Sequence, residues 1–188
     1  MLFWLTDLSD GGDVFNLFRY ITFRAGMAFA TALIFGFLFG LPLINLLRRR
    51  QGKGQPIRDD GPASHFAKAG TPTMGGLLIL SALLFSTLLW ARLDNPYVWI
   101  VLGVTFSFGL IGFADDYSKI SKQSTKGVSS RLRMVLGLIV AGVATYAATL
   151  AHPAGLSGQL ALPVFKDTLI NLGVFFIPFG MLVIVGSA

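Results

Sequence analysis

The sequence predicts an all-α integral membrane protein with five transmembrane helices, an external N-terminus and a cytoplasmic C-terminus. Hydrophobic residues make up 54% of the 188 residues, charged residues only 13%, and mean hydropathy is +0.70. Five stretches are long enough, or nearly so, to cross a hydrocarbon core that requires about 20 apolar residues. Basic residues are concentrated in two of the connecting loops, which predicts the orientation.

The predicted helices cover most of the chain, and we treat residues 1–188 as one polytopic membrane domain. They span residues 21–47, 73–91, 97–114, 133–151 and 168–187. The first is longer than one crossing requires and carries Arg24 near one end, where a long side chain can reach the interface. Its Gly36 and Gly40 have the GxxxG spacing that suits close helix packing.

Turn residues support the boundaries of these helices. Asn95 precedes a proline, which is typical of an N-cap followed by a proline in the first turn, and this pair begins the third helix. Thr71 precedes a proline in the same way before the second helix. Ser129 or Ser130 is a candidate cap for the fourth. The segment 152–167 contains several glycines and prolines and predicts an external turn or short hairpin.

The distribution of basic residues predicts which loops are cytoplasmic. Eleven of the fifteen lysines and arginines lie in or directly beside two loops, at about 48–72 and 115–132. Both loops are on the same side of the predicted helices, so the positive-inside rule places them in the cytoplasm. The formal net charge of +6 is therefore explained by topology, and we do not interpret it as nucleic-acid binding.

Two neighbouring carboxylates, Asp115 and Asp116, follow the third apolar stretch. Adjacent acids repel each other, and a helix C-terminus would disfavour them further. A cation or nearby lysines must therefore hold them, and Lys119, Lys122 and Lys126 follow within the same loop. The pattern favours chemistry on a phosphate group, while an interfacial charge cluster with the first two lysines is the structural alternative.

The second helix begins at the same face and offers its free backbone N–H groups there. Flanked by Lys68 and Thr73, such an N-terminus is a plausible anion site. Mg²⁺ suits this arrangement, since it takes one or two carboxylates together with phosphate oxygens. The combination favours phosphoryl transfer, in which positioning and charge neutralisation supply most of the catalysis. Taken singly, Lys68 is also consistent with an ordinary loop lysine and His65 with an ordinary loop histidine.

These residues carry a family resemblance. Residues 59–76, DDGPASHFAKAGTPTMGG, resemble the first cytoplasmic signature of the phospho-N-acetylmuramoyl-pentapeptide transferase (MraY) family, which belongs to the superfamily of polyprenyl-phosphate N-acetylhexosamine-1-phosphate transferases. Residues 112–127, GFADDYSKISKQSTKG, resemble its second signature. Residues 16–24 (NLFRYITFR) and 95–99 (NPYVW) are also similar to this family.

The resemblance implies a reaction at the cytoplasmic face of the bacterial inner membrane. Phospho-MurNAc-pentapeptide passes from UDP-MurNAc-pentapeptide to undecaprenyl phosphate, with Mg²⁺ required. The products are lipid I and UMP, in the first membrane step of peptidoglycan synthesis. The family also links the chain to cell-wall biogenesis, cell shape and cell division.

The resemblance further implies roles for individual residues. Asp115 and Asp116 match the catalytic pair and are both candidate metal ligands. Asp115 would help to activate the lipid phosphate, and Asp116 would support the metal and the diphosphate, although neighbouring acids act as a unit. The residues implied in substrate binding are Lys68, Thr73, Lys119, Lys122 and Lys126. His65 matches a family position to which we assign no role.

The family has about ten membrane helices, so five correspond to about half of its fold. We expect the chain to match the N-terminal half, to lack full activity alone, and to need a further metal ligand from the other half. A homodimer is also expected. The alternatives are a non-catalytic membrane fragment that binds a partner, and a related UDP-GlcNAc transferase, which would lack the SHFAKAGTPTMGG context. A transporter is disfavoured because the helix centres lack charge.

Overall fold

A computed structural model describes residues 1–51, 73–123, 127–152, 158–161 and 169–188. These residues are mostly helical. The α-helices are α1 (Ile21–Gln51), α2 (Gly76–Trp90), α3 (Pro96–Ser121), α4 (Ser130–Ala151) and α5 (Phe176–Ser187). Short 3₁₀ helices span Leu2–Leu8, Val14–Arg19 and Gly173–Phe175. Strands β1 (Gln159–Ala161) and β2 (Leu169–Asn171) pair in antiparallel orientation.

Three of these helices are long and apolar enough to cross a membrane: α1, α3 and α4, with hydropathies of 1.9 to 2.2. Helix α2 is also apolar but shorter, and so is the segment Gly173–Ser187 that contains α5. Length and composition therefore support the predicted class, a helical membrane protein. The number of crossings and their orientation stay predictions.

The two largest differences from the predicted helix bounds are at the end of α3 and at the start of the last helix; the end of α1 and the starts of α2 and α4 differ by three or four residues. Helix α3 continues to Ser121 instead of ending at residue 114, because Asp115 pairs with Lys119 one turn later and stabilises the continuation. The acidic pair therefore lies inside the helix and not at its C-terminus. The last helix begins at Phe176 rather than residue 168, because Leu169–Asn171 pairs with β1 as a strand. This pairing agrees with the hairpin alternative for the preceding segment.

The described residues form two compact units. The first unit comprises Met1–Asp94 and Gly109–Val128, and so contains α1, α2 and the second half of α3. The second unit comprises Asn95–Phe108 and Ser129–Ala188, with the first half of α3, the β-hairpin, α4 and α5.

In the first unit, α1 packs against α2. Gly40 is buried, and a Cβ atom placed on it would lie 3.6 Å from Leu78 Cδ2. The indole nitrogen of Trp90 donates a hydrogen bond of 2.9 Å to the hydroxyl of Thr31. A Cβ atom on Gly36 would meet nothing within 4 Å. Among the described residues, Gly40 of the GxxxG pair therefore lies against α2 whereas Gly36 does not, and an added Cβ at Gly40 would make an ordinary van der Waals contact.

In the second unit, α4 packs against α5 through small residues. Ala141 is fully buried, and Thr145 is only 4% exposed. A Cβ atom on Gly180 would lie 2.6 Å from Thr145 Cγ2, and one on Gly142 would lie 3.5 Å from Met181 Sδ. The absence of a side chain at Gly180 lets the helices approach closely, as is common between membrane helices, whereas a Cβ on Gly142 would make an ordinary van der Waals contact.

Two of the predicted helix caps are present. The side chain of Asn95 accepts a hydrogen bond of 3.0 Å from the backbone N–H of Tyr97 at the start of α3. The hydroxyl of Ser129 accepts one of 3.3 Å from the N–H of Leu132 at the start of α4. Helix α2 begins after Gly75 without a side-chain cap, and Thr71 lies outside the described residues.

Candidate active site

The two carboxylates on α3 share one lysine. The Lys119 ammonium lies 2.6 Å from Asp115 Oδ2 and 3.6 Å from Asp116 Oδ1. The Asp115 side chain is 7% exposed, whereas that of Asp116 is 34% exposed. Lys119 thus offsets the repulsion that the sequence predicted for adjacent acids, and it does so mainly at the buried one.

The Asp115 carboxylate is held from two sides. Its Oδ2 is bonded to Lys119, and its Oδ1 accepts a hydrogen bond of 2.8 Å from the backbone N–H of Val128. A Cβ atom on Gly127 would collide with this carboxylate and with the Lys119 side chain. A side chain at residue 127 would therefore require the Asp115 carboxylate or the Lys119 side chain to move.

The contact with Asp115 also acts on the protonation of Lys119, which lies beyond the apolar part of α3. The hydrogen bond to Asp115 raises the pKa of the Lys119 ammonium above its ordinary value, and the charge of Asp116 adds to the effect. Lys119 is therefore cationic across the physiological pH range. Its positive charge therefore offsets negative charge at the acidic pair.

Thr73 connects the acidic pair to the first predicted signature. Its hydroxyl donates a hydrogen bond of 3.1 Å to Asp116 Oδ2, across 43 positions of sequence. The backbone of Thr73 is in turn bonded to the side chain of Gln51, the last residue of α1. Side chains from α1, from the segment before α2 and from α3 therefore meet at one place.

A cavity of about 300 Å³ lies beside this cluster in the first unit. Both carboxylates line it, together with Met74 and the first turns of α2. Met74 adopts a left-handed backbone conformation with φ of 73°, which is uncommon for a residue with a side chain. The remaining lining residues are Gly76, Leu77, Leu80, Gly109, Gly112 and Phe113. Glycines and apolar side chains leave the carboxylates as the polar groups of this cavity.

The structure brings together four of the residues predicted for the site: Thr73, Asp115, Asp116 and Lys119. Lys122 is exposed, and within the described part of the chain no ion pair joins it to either carboxylate. The other predicted residues lie outside the described ranges; they are His65, Lys68 and Lys126. The bonds to Lys119 also mean that the structural alternative, a charge cluster, is present at the site.

Sequence reasoning missed two residues of this cluster, Gln51 and Gly127. A glutamine after three arginines carries no signal of burial, since polar residues at a helix end are normally solvated. A glycine at the end of a lysine-rich loop is consistent with any turn. Only the contacts of these two residues distinguish them.

The donor set of the pair fits a magnesium ion that takes its other ligands from elsewhere. Among the described residues, no group of three or more His, Cys, Asp or Glu side chains could hold a metal. Mg²⁺ commonly binds one or two carboxylates together with substrate phosphate oxygens and water. Asp116 is the more exposed carboxylate. The Lys119 ammonium is 3.6 Å from its Oδ1, which is a longer contact than the 2.6 Å to Asp115. Asp116 is therefore the better placed of the two to bind a metal ion.

The long apolar helices are those of a helical membrane protein. Its acidic cluster is built from segments that are distant in the sequence. Residues 68–80 match signature 1 of the phospho-N-acetylmuramoyl-pentapeptide-transferases. The chain is also similar to proteins of that name: it is 73% identical to the one from Ruegeria pomeroyi, 71% to that of Ruegeria sp. strain TM1040 and 70% to that of Dinoroseobacter shibae.

Each of these alignments covers the whole of this chain and 52% of the relative. The chain thus spans about half the length of the curated relatives it matches. The signature match and these alignments confirm the family resemblance that the motifs of the chain predicted.

Proposed function

We propose that this chain provides the acidic site of a phospho-N-acetylmuramoyl-pentapeptide transferase. The substrates would be UDP-MurNAc-pentapeptide and undecaprenyl phosphate, and the products lipid I and UMP. The observation that carries this proposal is the hydrogen bond from Thr73 to Asp116. It joins a residue of the matched signature, 68–80, to the acidic pair, beside a cavity that both carboxylates line.

In the proposed reaction, an oxygen of the lipid phosphate forms a bond to the sugar-linked phosphorus of the nucleotide. The bond from that phosphorus to the UMP oxygen breaks, and UMP leaves with the electron pair. Asp116, the exposed carboxylate, acts on the diphosphate side, and Asp115 activates the lipid phosphate by taking the proton from its attacking oxygen when that oxygen is protonated. Lys119 keeps one charge of the pair neutralised, so that a phosphate can approach the cluster.

Mg²⁺ fits the proposal as the group that neutralises phosphate charge in the site when it is bound. Asp116 would hold it, with Asp115 as the second carboxylate, and the other ligands would come from phosphate oxygens, water or another part of the whole protein. Lys68, Lys122 and Lys126 are proposed to contact phosphate groups, and Thr73 to lie on the nucleotide-sugar side.

The membrane arrangement belongs to the same proposal. Five apolar stretches supply five crossings, and the positive-inside rule gives an external N-terminus and cytoplasmic loops at 48–72 and 115–132. In this arrangement the acidic pair faces the cytoplasm, where a nucleotide-linked sugar is supplied. We place the protein in the bacterial inner membrane, and we propose that it forms a homodimer there.

A chimaera tests the proposed reaction. The 188 residues would replace the aligned half of the Ruegeria pomeroyi relative, and transfer of labelled phospho-MurNAc-pentapeptide to undecaprenyl phosphate would be measured with Mg²⁺. We expect an active chimaera. We expect Asp115→Asn to reduce its rate by about 100-fold or more, as for a lost acid–base group. Asp94→Asn is the matched control, because that carboxylate pairs with Arg92 away from the cluster.

If the chimaera with Asp115→Asn kept its full transfer rate, the proposed role of the acidic pair would be overturned. The unmodified 188-residue chain would be assayed in parallel. We expect no transfer from it, because a further metal ligand is expected from outside it. Transfer that depends on Asp115 would instead show that these residues contain a sufficient site.

A further inference from the structure

We propose that Gln51 is a positioning residue for this site, and that it acts through the hydroxyl of Thr73. The proposal rests on the proposed function. Gln51 is the last residue of α1 and is only 8% exposed. It lies 22 positions before Thr73 and outside the signature that the family match covers.

The carboxamide of Gln51 forms hydrogen bonds with both the backbone N–H and the carbonyl of Thr73. Its Nε2 donates a hydrogen bond of 3.0 Å to the Thr73 carbonyl, and its Oε1 accepts one of 2.9 Å from the Thr73 N–H. Two opposed bonds to one residue fix its orientation as well as its position, as in a paired strand. Of the common side chains, only an amide offers a donor and an acceptor side by side.

The identity of residue 51 is therefore restricted. A buried amide is unfavourable unless its polar atoms are bonded, and here both are bonded to a single partner residue. Glutamate has the length but lacks the donor, and asparagine is one methylene shorter. The three arginines before it, Arg48, Arg49 and Arg50, are exposed, so burial is particular to Gln51 in this last turn of α1.

One further hydrogen bond links Thr73 to the acidic pair. The Thr73 hydroxyl donates to Asp116 Oδ2, and Asp116 lines the cavity. Immediately after Thr73 the chain passes through Met74, whose left-handed conformation is held on its other side by the bond from Leu77 N–H to the Met74 carbonyl. Gln51 thus fixes one end of a strained turn, and that turn presents the hydroxyl to Asp116.

This arrangement predicts an effect on turnover. Without Gln51, the Thr73 hydroxyl would lose its fixed position, and Asp116 would lose the donor that orients its carboxylate. Small displacements of reacting groups lower rates strongly, by up to about 100-fold for 1 Å. Gln51 contacts Thr73 and is not among the residues that line the cavity, so we expect kcat to fall while KM for undecaprenyl phosphate stays within about two-fold.

The test is a double-mutant cycle in the chimaera, with Gln51→Met and Thr73→Val. Methionine has the length of glutamine without its hydrogen bonds, and valine has the shape of threonine without its hydroxyl. We expect each substitution to lower kcat by about 10-fold to 100-fold. Because Gln51 acts through the Thr73 hydroxyl, the double variant should be no slower than Thr73→Val alone. Thr73→Ser, which keeps a hydroxyl, should retain its dependence on Gln51.

Losses that multiply in the double variant would overturn the proposal, and so would an unchanged kcat in Gln51→Met. If Gln51→Met does not fold, Gln51→Glu replaces it in the cycle, since it keeps the acceptor for the Thr73 N–H. The same non-additive result would support the proposal and multiplied losses would overturn it. Failure of the proposed function is distinguishable, because it would appear as an inactive parent chimaera or as an Asp115→Asn variant that keeps its rate.

Discussion

The two units of this protein bury their side chains in different ways. In the first unit, charged and polar groups are buried and bonded to each other, as Asp115 is to Lys119 and Gln51 is to Thr73. In the second, α4 and α5 meet through small residues such as Ala141 and Gly180. Small residues bring helices together at little polar cost. Buried polar groups are unfavourable unless paired, so their presence in the first unit indicates a role beyond holding helices together.

The acidic cluster of the first unit and the α4–α5 contact of the second also differ in the range of their polar bonds along the sequence. The buried hydroxyl of Thr145 donates 2.7 Å to the carbonyl of Ala141 in its own helix. By contrast, Thr73 bonds across 22 and 43 positions to Gln51 and Asp116. A polar group satisfied within its helix tolerates movement of its neighbours. The first unit also contains such a bond, from the buried hydroxyl of Ser86 to the Leu83 carbonyl, but its acidic cluster depends on bonds between different elements.

The largest expected change in stability comes from removing the Lys119 ammonium, which pairs with the Asp115 carboxylate. Lys119→Met keeps most of the side-chain length but leaves a buried carboxylate without its ion partner. We expect the free energy of unfolding to fall by about 3 kcal/mol, the lower end for breaking a buried pair. Denaturant unfolding of the purified protein in detergent would measure this value.

Lys122→Met is the matched control, because Lys122 lies three positions later and is exposed. We expect its effect on stability to be within about 0.5 kcal/mol. Equal losses in the two variants would show that the Lys119 contacts contribute no more than a surface charge, and the contrast between the units would disappear.

Gly127→Ala is expected to have the second largest effect. The added methyl group would overlap the Asp115 carboxylate and the Lys119 side chain, so one of them must move. Overpacking of this kind typically costs about 1–3 kcal/mol. Gly112→Ala on α3 is the control, since a Cβ atom there meets nothing within 4 Å. If both alanine variants unfold at the same denaturant concentration, the closure over Asp115 is looser than the structure indicates.

In the second unit, the expected effect is smaller and can be compensated. Gly180→Ala would bring a methyl group against Thr145 and destabilise the α4–α5 contact by about 1 kcal/mol. Thr145→Ala would make room for it, so the double variant should be more stable than the two single losses predict when added. A double-mutant cycle measured by unfolding in detergent tests this. Strict additivity would show that the two residues do not contact each other.

The smallest effect is expected at an exposed ion pair in the first unit. Arg92 Nη2 lies 2.6 Å from Asp94 Oδ2, and both side chains are about half exposed. The bond to Arg92 lowers the pKa of the Asp94 carboxyl, so any stabilisation is complete above the ordinary carboxyl pKa of about 3.9 and is lost as pH falls below it. Arg92→Gln should leave the melting temperature at pH 7 nearly unchanged, and high salt should remove the remaining difference. A larger loss of stability in Arg92→Gln than in Lys119→Met would show that the exposed ion pair contributes more than the buried one.

Much of the architecture follows from local properties of the sequence. Long apolar stretches predict α1, α3 and α4, because burying apolar surface in lipid or protein dominates their free energy. The caps at Asn95 and Ser129 are also local, since each side chain bonds a backbone group only two or three residues away. The two largest errors in the predicted helix bounds, at the end of α3 and at the start of the last helix, arose because an ion pair and a strand pairing set them.

The sequence by itself determined the class of protein, its apolar helices, the acidic pair and the family, because composition and short motifs are properties of neighbouring residues. Only the tertiary structure decided that Asp115 is the buried member and Asp116 the exposed one. It alone placed the Thr73 hydroxyl on Asp116, Gln51 on Thr73 and Gly127 against Asp115. The physical reason is that burial and hydrogen bonding between distant segments depend on how elements pack, which no local pattern of residues specifies.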